Sequence, residues 1–596
     1  MAKEMTGLTK GLLIFMGLGV VFGGFKGYQH FLAPAAGPAL VPTSGKLTEF
    51  KETAPVAASE PTSMPSATPA NLPGPQVRMQ VIPWNAQMGL LYANGGAQTT
   101  DGSLMARYGV NLRVDMQDDY GKQKQALLEC AQQLAKGAED CTAGAHFVTM
   151  MGDAAAMYMA GLNATLAPLG PDFQAEIIGG FGRSFGEDKF MAPPECVKNP
   201  SACKGALIAG VLMDGDWNIA MFWAANNNIC NNADVTTYNP ECLNWFGTST
   251  FVEADNAYIN GYCEDRPIVQ DGKRLGSKNI CVNGVVTWTP GDVEVTKKKG
   301  GLASILSTAQ TGSQMPNVVI GIKHWNTAHA DLVTKMLRAG YEGGNAVRTD
   351  PEALTYAGGI SATVYGQEDA AYWSRYYRGV SEMDKTGKIE VPLGGSRVFT
   401  AADAFAYFGL DSGAANAFAT TYTIFGDIAK QQYPKDLPSY PAVGTVFNPA
   451  YLQALKEEKT LVSGVVEQPN FAEPPAVMTK VADKSWDIRF RSNSADFDPS
   501  AQKELKALLD QLVIGSELRV QLHGHTDGQG DDEANMSLSE RRAFAVKRWL
   551  ESHAPSNFPE GRISVQAHGE TQPVAPNSTD AGRAKNRRVQ VVLTAG

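Results

Sequence analysis

The segment Leu518-Arg-Val-Gln-Leu-His-Gly-His-Thr-Asp527 alternates apolar with polar side chains and then ends in a polar loop. A period of two is typical of a strand with one buried face. Three more stretches near the carboxyl end of the chain repeat it: Trp486, Ile488 and Phe490; Ile563, Val565 and Ala567; Val589 and Val591. Together these patterns predict four half-buried strands.

Helical patterns separate the four predicted strands. Asp498 followed by Pro499 predicts a helix N-cap with proline at the first helical position. The apolar stripe of that helix would be Leu505, Leu508, Leu509, Leu512 and Val513. A second helix is expected to start near Asn535 or Ser537, with capping-box spacing between Ser537 and Glu540. The predicted order is β-α-β-α-β-α-β, an α/β sandwich.

Polar motifs lie between these elements and at their ends. They are Gly524-His-Thr-Asp527, Asn535, Leu538-Ser539, Arg541-Arg-Ala543, Gly569-Glu570 with Pro573, Gly582-Arg583 and Asn586-Arg-Arg-Val589. In these motifs and their spacing, the segment from Trp486 to Leu593 resembles the OmpA-like peptidoglycan-binding domain. The resemblance implies a set of residues that hold diaminopimelate in the wall peptide: Asp527, Arg542, Thr526 and Asn535.

Two further arginines, Arg587 and Arg588, stand at the start of the last predicted strand. Successive side chains of a strand point to opposite faces, so one arginine should pair inside the domain and the other should face ligand or solvent. We count Arg588 among the peptidoglycan-binding residues.

The chemistry of diaminopimelate independently requires two opposite charges. Its free end carries an ammonium and a carboxylate on one carbon, which a carboxylate such as Asp527 and a guanidinium such as Arg542 would hold. The alternative is an Asp–Arg surface pair that only fixes the loop.

A metal site on His523, His525 and Asp527 is less favoured, because no further ligand or general base has the right spacing. We therefore predict no metal and no cofactor.

Length and charge limit the remaining possibilities. A chain of 596 residues exceeds the size at which one core stops growing, so several domains are expected. The formal charge of −10 and the lack of a Lys/Arg run argue against a nucleic-acid partner.

The amino end carries an uncharged stretch, residues 11–25, between Lys10 and Lys26. This pattern predicts a membrane-insertion signal, and we favour an uncleaved inner-membrane anchor over a cleaved signal peptide. The bulk of the chain would then lie in the periplasm.

Composition divides the chain into five parts. We predict an anchor or signal at 1–32, a Pro/Ala/Ser-rich linker at 33–76, a two-lobed domain at 77–465, a second proline-rich linker at 466–484 and the OmpA-like domain at 485–596.

The eight cysteines fall as close neighbours along the chain, and an even number behind an export signal favours disulfides. Pairing of neighbours is the simplest expectation, with buried free thiols as the alternative. The candidates are Cys130 with Cys141, Cys196 with Cys203, Cys230 with Cys242, and Cys263 with Cys281.

In the central region, short apolar runs alternate with helical patterns, which predicts two α/β lobes. The ordered motifs Asn94-Gly-Gly96, Gly182-Arg-Ser184, Asp214-Gly-Asp-Trp-Asn218 and Tyr372-Trp-Ser-Arg-Tyr-Tyr377 resemble type 2 periplasmic solute-binding proteins, the nitrate- and taurine-type substrate-binding components of ABC transporters. The resemblance implies a small solute, anionic in those relatives, between the lobes. Candidate lining residues are Trp84, Asn85, Arg183, Ser184, Trp217, Asn218, Trp288 and Thr289. For the tryptophans, plain core packing is an equal alternative.

These features favour a non-catalytic periplasmic binding protein that holds peptidoglycan and a solute. The alternative is a structural or assembly protein of the envelope whose central domain docks a protein partner. An enzyme is least favoured, since the chain lacks a G-x-S-x-G elbow, a recognisable Ser/His/Asp order and paired-carboxylate spacing. Walker and G-x-G-x-x-G nucleotide motifs are also missing.

Overall fold

A computed structural model describes residues 64–466, 469–471, 478–491 and 493–595. Within these ranges the strands are β1 (Val77–Val81), β2 (Leu112–Met116), β3 (Phe147–Met151), β4 (Ala175–Ser184), β5 (Lys189–Ala192), β6 (Leu207–Gly210), β7 (Cys230–Asn231), β8 (Cys242–Gly247), β9 (Cys263–Gln270), β10 (Lys273–Cys281), β11 (Gly284–Thr287), β12 (Ala303–Ser307), β13 (Pro316–Ile322), β14 (Val380–Met383), β15 (Glu390–Leu393), β16 (Ser396–Val398), β17 (Thr479–Trp486), β18 (Arg519–Gly524), β19 (Ile563–Ala567) and β20 (Val589–Ala595).

The helices of the same ranges are α1 (Met88–Asn94), α2 (Leu104–Arg107), α3 (Tyr120–Ala135), α4 (Ala155–Leu166), α5 (Glu195–Lys198), α6 (Gly215–Asn226), α7 (Phe251–Ile259), α8 (Gly291–Lys298), α9 (Lys323–Ala328), α10 (Ala330–Thr349), α11 (Pro351–Tyr365), α12 (Ala370–Arg378), α13 (Ala401–Tyr407), α14 (Ala417–Gln432), α15 (Val443–Val446), α16 (Ala450–Glu457), α17 (Ala501–Ile514), α18 (Asp532–His553) and α19 (Asp580–Asn586).

The central region contains two six-stranded sheets, and we call the part built on each a lobe. The first lobe has the order β16-β4-β13-β3-β1-β2, with β1 parallel to β2 and β3. The second lobe has the order β12-β5-β11-β6-β8-β7. The chain crosses to the second lobe between β4 and β5 and returns between β12 and β13, where it enters the first sheet antiparallel to both neighbours. Two α/β units joined by two crossings leave a junction between them.

The predicted apolar runs of the central region appear as strands of these two sheets, and the predicted helical patterns appear as helices between them. β1 alternates buried with partly exposed side chains, whereas every residue of β3 is buried because helices cover both faces of the sheet. The disulfides join the four neighbouring pairs, as predicted, and they lie in or beside the two lobes. Cys263–Cys281 closes the β9–β10 hairpin at its paired ends.

The C-terminal domain has the predicted order β-α-β-α-β-α-β, with the sheet order β17-β20-β18-β19. Two of its boundaries differ from the predictions. β17 ends at Trp486, and Phe490 instead forms an isolated bridge with Phe497. The N-cap of α17 is Ser500, whose backbone and hydroxyl donate to the Asp498 carboxylate just outside the helix.

The start of α18 corrects another prediction. The helix begins at Asp532, because Asp531 caps it by accepting a hydrogen bond from Ala534 N at 2.8 Å. Asn535 and Ser537 therefore lie within the helix, and the spacing of Ser537 and Glu540 does not mark its start.

The described residues include only parts of the two predicted linkers. Residues 1–32 and most of the first linker lie outside the described residues, but Ala70 N donates to Thr99 O at 2.9 Å, so the linker's last part lies against the first lobe. β17 begins at Thr479, before the predicted boundary at 485. In the described ranges, no helix is both long enough and apolar enough to cross a membrane.

The C-terminal domain packs against the central lobes. Arg183 at the end of β4 pairs with Glu517, which precedes β18, at 3.5 Å. Asn226 at the end of α6 donates to Gln511 of α17 at 2.9 Å. These polar contacts flank apolar packing that continues from the lobes into the domain.

Candidate functional site

Strand register brings three loops of the C-terminal domain together. Gly524 at the end of β18 lies beside Ala567 of β19 on one side and Val589 of β20 on the other. The loops after β18 and β19 and the turn before β20 therefore meet at one edge of the sheet. A Cβ on Gly524 would lie 2.1 Å from Ser539 O of α18, so only glycine lets this helix approach the loop so closely.

Asp527 stands in the first of these loops and is almost buried. Its Oδ2 accepts a hydrogen bond from Arg587 Nη1 at 2.5 Å, and its Oδ1 accepts one from Gln529 N at 3.2 Å. The Arg587 side chain is 45% exposed, so this ion pair opens to solvent on one side. The carboxylate is held in place while a ligand can still reach the pair.

Arg542 approaches Asp527 from α18. Burial and the nearby charge of Arg587 lower the pKa of Arg542, whereas the charge of Asp527 opposes that change. Arg542 Nε donates to Ser494 O at 3.1 Å, and its guanidinium lies 5.1 Å from the centre of the Phe490 ring. The two Nη groups make no further hydrogen bond with the described residues. They are suited to a two-pronged bond with a carboxylate.

Asn535 and Thr526 complete the surroundings of Asp527. Asn535 Nδ2 donates to Glu570 Oε2 at 2.6 Å and to Gln529 O at 3.2 Å, which ties α18 to both loops. The Thr526 hydroxyl is buried and has no hydrogen-bond partner among the described residues. It is an unused polar group beside the carboxylate.

The two neighbouring arginines take different positions. Arg588 is buried and donates to Gln572 O at 3.2 Å and to Asn586 O at 3.4 Å, so it joins backbone segments inside the domain. Arg587 is the arginine that meets Asp527. The alternation rule separates an inward from an outward arginine but does not say which is which, because both arginines lie in the turn between α19 and β20.

Three histidines stack behind the site. His523 Nδ1 lies 2.8 Å from His568 Nε2, and the His568 ring is stacked between those of His523 and His525. Burial lowers the pKa of His523 to about 4 and that of His525 to about 3. The three rings are therefore neutral at physiological pH.

The structure does not gather His523, His525 and Asp527 into a metal-binding cluster. Among the described residues, the cluster with metal-ligand spacing is Asp140, Cys141 and His146. Cys141 is bonded to Cys130, so its sulfur is not a free thiolate ligand.

Four of the candidate solute-lining residues lie near the junction of the two lobes. Asn85 donates to Glu187 at 3.4 Å, and Asn218 of α6 donates to Asp153 O of the first lobe at 3.2 Å. Ser184 exchanges a hydrogen bond with Thr308 at 2.6 Å. Thr289 is buried and its hydroxyl has no partner among the described residues.

The other four candidates are Arg183 and three tryptophans, which contact other parts of the protein or are buried. Arg183 meets Glu517 of the C-terminal domain, so its partner is a carboxylate of the protein. Trp217 packs against Trp245 and Tyr433, and Trp288 packs against Phe251. The indole nitrogens of Trp84, Trp217 and Trp288 are buried without a hydrogen-bond partner in the described ranges.

The fold and the loop site define the C-terminal domain as a small α/β domain that presents a carboxylate, Asp527, paired with the Arg587 guanidinium and under the electrostatic influence of Arg542. The family model described as the OmpA family matches residues 489–587. Outer-membrane lipoprotein YfiB of Pseudomonas aeruginosa is 33% identical over 122 residues, which cover 20% of this chain and 71% of that protein. The chain belongs to the OmpA family through this domain.

Other similar proteins match the same part of the chain. Outer membrane porin F of Pseudomonas fluorescens is 38% identical over 122 residues, 20% of this chain but only 36% of the porin's own length. The crystal structure of the peptidoglycan-associated lipoprotein from Burkholderia pseudomallei is 26% identical and covers 18% of this chain and 87% of that one, with a TM-score of 0.16.

Proposed function

We propose that the chain is a non-catalytic protein of the cell envelope whose C-terminal domain binds peptidoglycan. The observation that carries this proposal is the Asp527 carboxylate, which pairs with the half-exposed Arg587 and interacts electrostatically with Arg542 of α18. Membership in the OmpA family, with an outer-membrane lipoprotein among its relatives, supports the envelope location. Anchoring through residues 1–32 stays a prediction.

The ligand would be the free end of diaminopimelate in a stem peptide. Its ammonium would bind Asp527, sharing that carboxylate with the half-exposed Arg587 or displacing it. Its carboxylate would bind the Nη groups of Arg542, which is held in position through Nε by Ser494 O. Opposite charges on one ligand carbon thus meet opposite charges on two protein elements.

Sedimentation with purified sacculi tests this proposal. We expect Asp527→Ala and Arg542→Ala each to weaken wall binding at least tenfold, because each removes one charge-assisted contact worth roughly 1.5–3 kcal/mol. Arg541→Ala is the matched control, since Arg541 is the neighbouring arginine of α18 but is exposed and donates to Ser537. Free meso-diaminopimelate should compete with sacculi for the unmodified chain.

The proposal fails if both site variants sediment like the unmodified chain while their unfolding midpoints show that they are folded. It also fails if Arg541→Ala loses as much binding as Arg542→Ala, because binding would then depend on general positive charge.

We also propose that the two central lobes bind a small solute at their junction. The supporting observation is the set of buried polar atoms without partners there, which includes the Thr289 hydroxyl and the Asn85 carbonyl oxygen. Buried polar groups are normally hydrogen-bonded, so unpaired ones point to a missing partner. Native mass spectrometry of chain purified directly from the envelope should reveal a bound small molecule that denaturation and refolding remove.

A further inference from the structure

Seven carboxyl groups lie buried at or beside the junction of the two lobes, and we call them the acidic cluster. They are Asp153, Glu187, Asp188, Asp214, Asp216, Asp255 and Asp292. The first lobe contributes Asp153, which follows β3, and the crossing from β4 to β5 contributes Glu187 and Asp188. The other four come from the second lobe, where they lie at the first turns of α6 and α8 or within α7.

Hydrogen bonds attach this cluster to both lobes. Asp153 accepts from Gln314 Nε2 and from Met315 N, both at 3.0 Å, while its own carbonyl accepts from Asn218 of α6. Glu187 accepts from Ser396 of the first lobe and from Asn85 at 3.4 Å. The cluster therefore lies where a ligand would contact both lobes at once.

Positive charge is scarce in this cluster. In the described part of the chain, one lysine, Lys189, lies among the seven carboxyl groups, and it forms a fully buried ion pair with Asp292. Asp216 is fully buried, and neither of its carboxylate oxygens has a hydrogen-bond partner in the described ranges. Burying an ionised carboxylate without a partner is strongly unfavourable, and burial raises the pKa of Asp216 accordingly. A positively charged ligand would stabilise its ionised form.

Unpartnered groups of other kinds surround the carboxylates. The Asn85 carbonyl oxygen is unpaired although its amide nitrogen bonds Glu187, so this side chain faces the cluster. The Tyr372 hydroxyl is also unpaired, and the charges of Asp292 and Glu187 help to raise its pKa, which places it close to them. These two polar groups lie beside the carboxylates without a hydrogen-bond partner among the described residues, so both are available to a ligand.

The spacing of the carboxylates excludes a simple site for a small metal ion. Within the described residues, no three carboxylate oxygens of the cluster lie close enough together to share one ion. A larger cation can contact separated carboxylates at the same time. Its apolar parts can lie against an aromatic side chain, and Tyr372 is close enough to Asp292 and Glu187 for their charges to act on it.

We propose that the junction of the two lobes is a binding site for an organic cation that carries protonated amine or quaternary ammonium groups. This inference rests on the proposed solute-binding role of the lobes and names the class of solute. It differs from the anionic solute that the family resemblance implies, since Arg183 is paired with Glu517 and the junction itself is acidic.

Thermal melting and calorimetry on the full, disulfide-bonded chain test this inference. After unfolding and refolding to remove bound solute, the chain is titrated at pH 8 with putrescine, spermidine and choline, and separately with nitrate and taurine. We expect at least one of the three cations to raise the melting temperature. We expect nitrate and taurine to leave the melting temperature unchanged. Asp216→Asn should weaken cation binding at least tenfold, while the exposed control Asp172→Asn leaves it unchanged.

A second measurement needs no ligand. Without a probe, Asp216→Asn should melt at a higher temperature than the unmodified chain at pH 8, because it replaces a buried carboxyl whose ionised form has no partner among the described residues. A lower melting temperature would show that Asp216 has a structural partner and would overturn the inference. Binding of nitrate or taurine alone would overturn the cation but keep solute binding, whereas binding of no probe and no retained molecule would overturn both.

Discussion

Asp527 illustrates how one residue depends on its neighbours in space. Its carboxylate is nearly buried, but Arg587 pairs with it and the charge of Arg542 acts on it from α18. The sequence predicted Asp527 and Arg542 from their residue types and the family motif. It did not predict Arg587, because the turn before β20 interrupts the alternation that would have distinguished it from Arg588.

Arg588→Ala should mainly lower stability, whereas Arg587→Ala should mainly alter wall binding. Arg588→Ala should lower the free energy of unfolding by about 1–3 kcal/mol, because it leaves two backbone carbonyls inside the domain without their donor. Arg587→Ala should cost less than about 1 kcal/mol, as for other partly exposed ion pairs, but should alter wall binding. Urea denaturation and sacculus sedimentation measure the two effects. Equal losses of stability would contradict the assigned positions.

The stacked histidines should remain neutral well below their usual titration range. The unfolded pKa is 6.5, whereas burial lowers the folded pKa to about 4 for His523 and about 3 for His525. Between these values the unfolded chain binds more protons, so the free energy of unfolding falls as the pH drops from 6.5 toward 4. NMR of histidine-labelled chain should show two imidazoles that do not titrate above pH 5. The same signals should titrate near 6.5 in denaturant.

At the scale of elements, the last three strands of the C-terminal domain were predictable, whereas the position of the first strand and the helix starts were not. Alternating burial is a local property of a strand that packs on one side, and β18 shows it at every position. A helix start depends on which nearby polar side chain reaches a free backbone N–H. For α18 that side chain belongs to Asp531, which stands earlier than the predicted candidates.

Asp531→Ala should therefore destabilise the domain while Ser537→Ala does not. Loss of the N-cap is expected to cost about 1 kcal/mol, because Ala534 N loses its acceptor. Ser537 is exposed within the helix, and its hydroxyl only accepts a hydrogen bond from Arg541. Denaturant midpoints of the two variants, compared with the unmodified chain, distinguish these positions. A larger loss for Ser537→Ala would favour the helix start predicted from sequence.

At the scale of the whole molecule, the C-terminal domain is joined to the lobes by a buried charge network. Glu517 is buried, which raises its pKa, while the charges of Arg183, Arg397 and Arg562 act in the opposite direction. Arg183 comes from the end of β4, beside the crossing that leads into the acidic cluster. Contacts between the domain and the lobes thus reach the edge of the proposed solute site.

Glu517→Ala should loosen this interface. Removing one partner leaves Arg183 poorly compensated in a mostly buried position, for which the expected cost is about 3 kcal/mol. Limited proteolysis should then cut faster between the lobes and β17, and small-angle scattering should report a more extended molecule. Lys506→Ala is the control, because Lys506 is largely exposed and its ion pair with Asp510 lies within α17. Unchanged proteolysis and scattering would show that the interface does not depend on Glu517.

Local patterns in the chain were enough to predict the α/β class, the order of elements in the C-terminal domain and the four neighbouring disulfides, while the binding roles of Asp527 and Arg542 stay predictions. These features depend on residues close together in sequence, or on a family motif with regular spacing. The pairing of Asp527 with Arg587, the contact of Arg183 with Glu517 and the acidic cluster could not be predicted in this way. They join residues distant in sequence, and whether a charge is buried, paired or unpaired depends on which other elements fold against it.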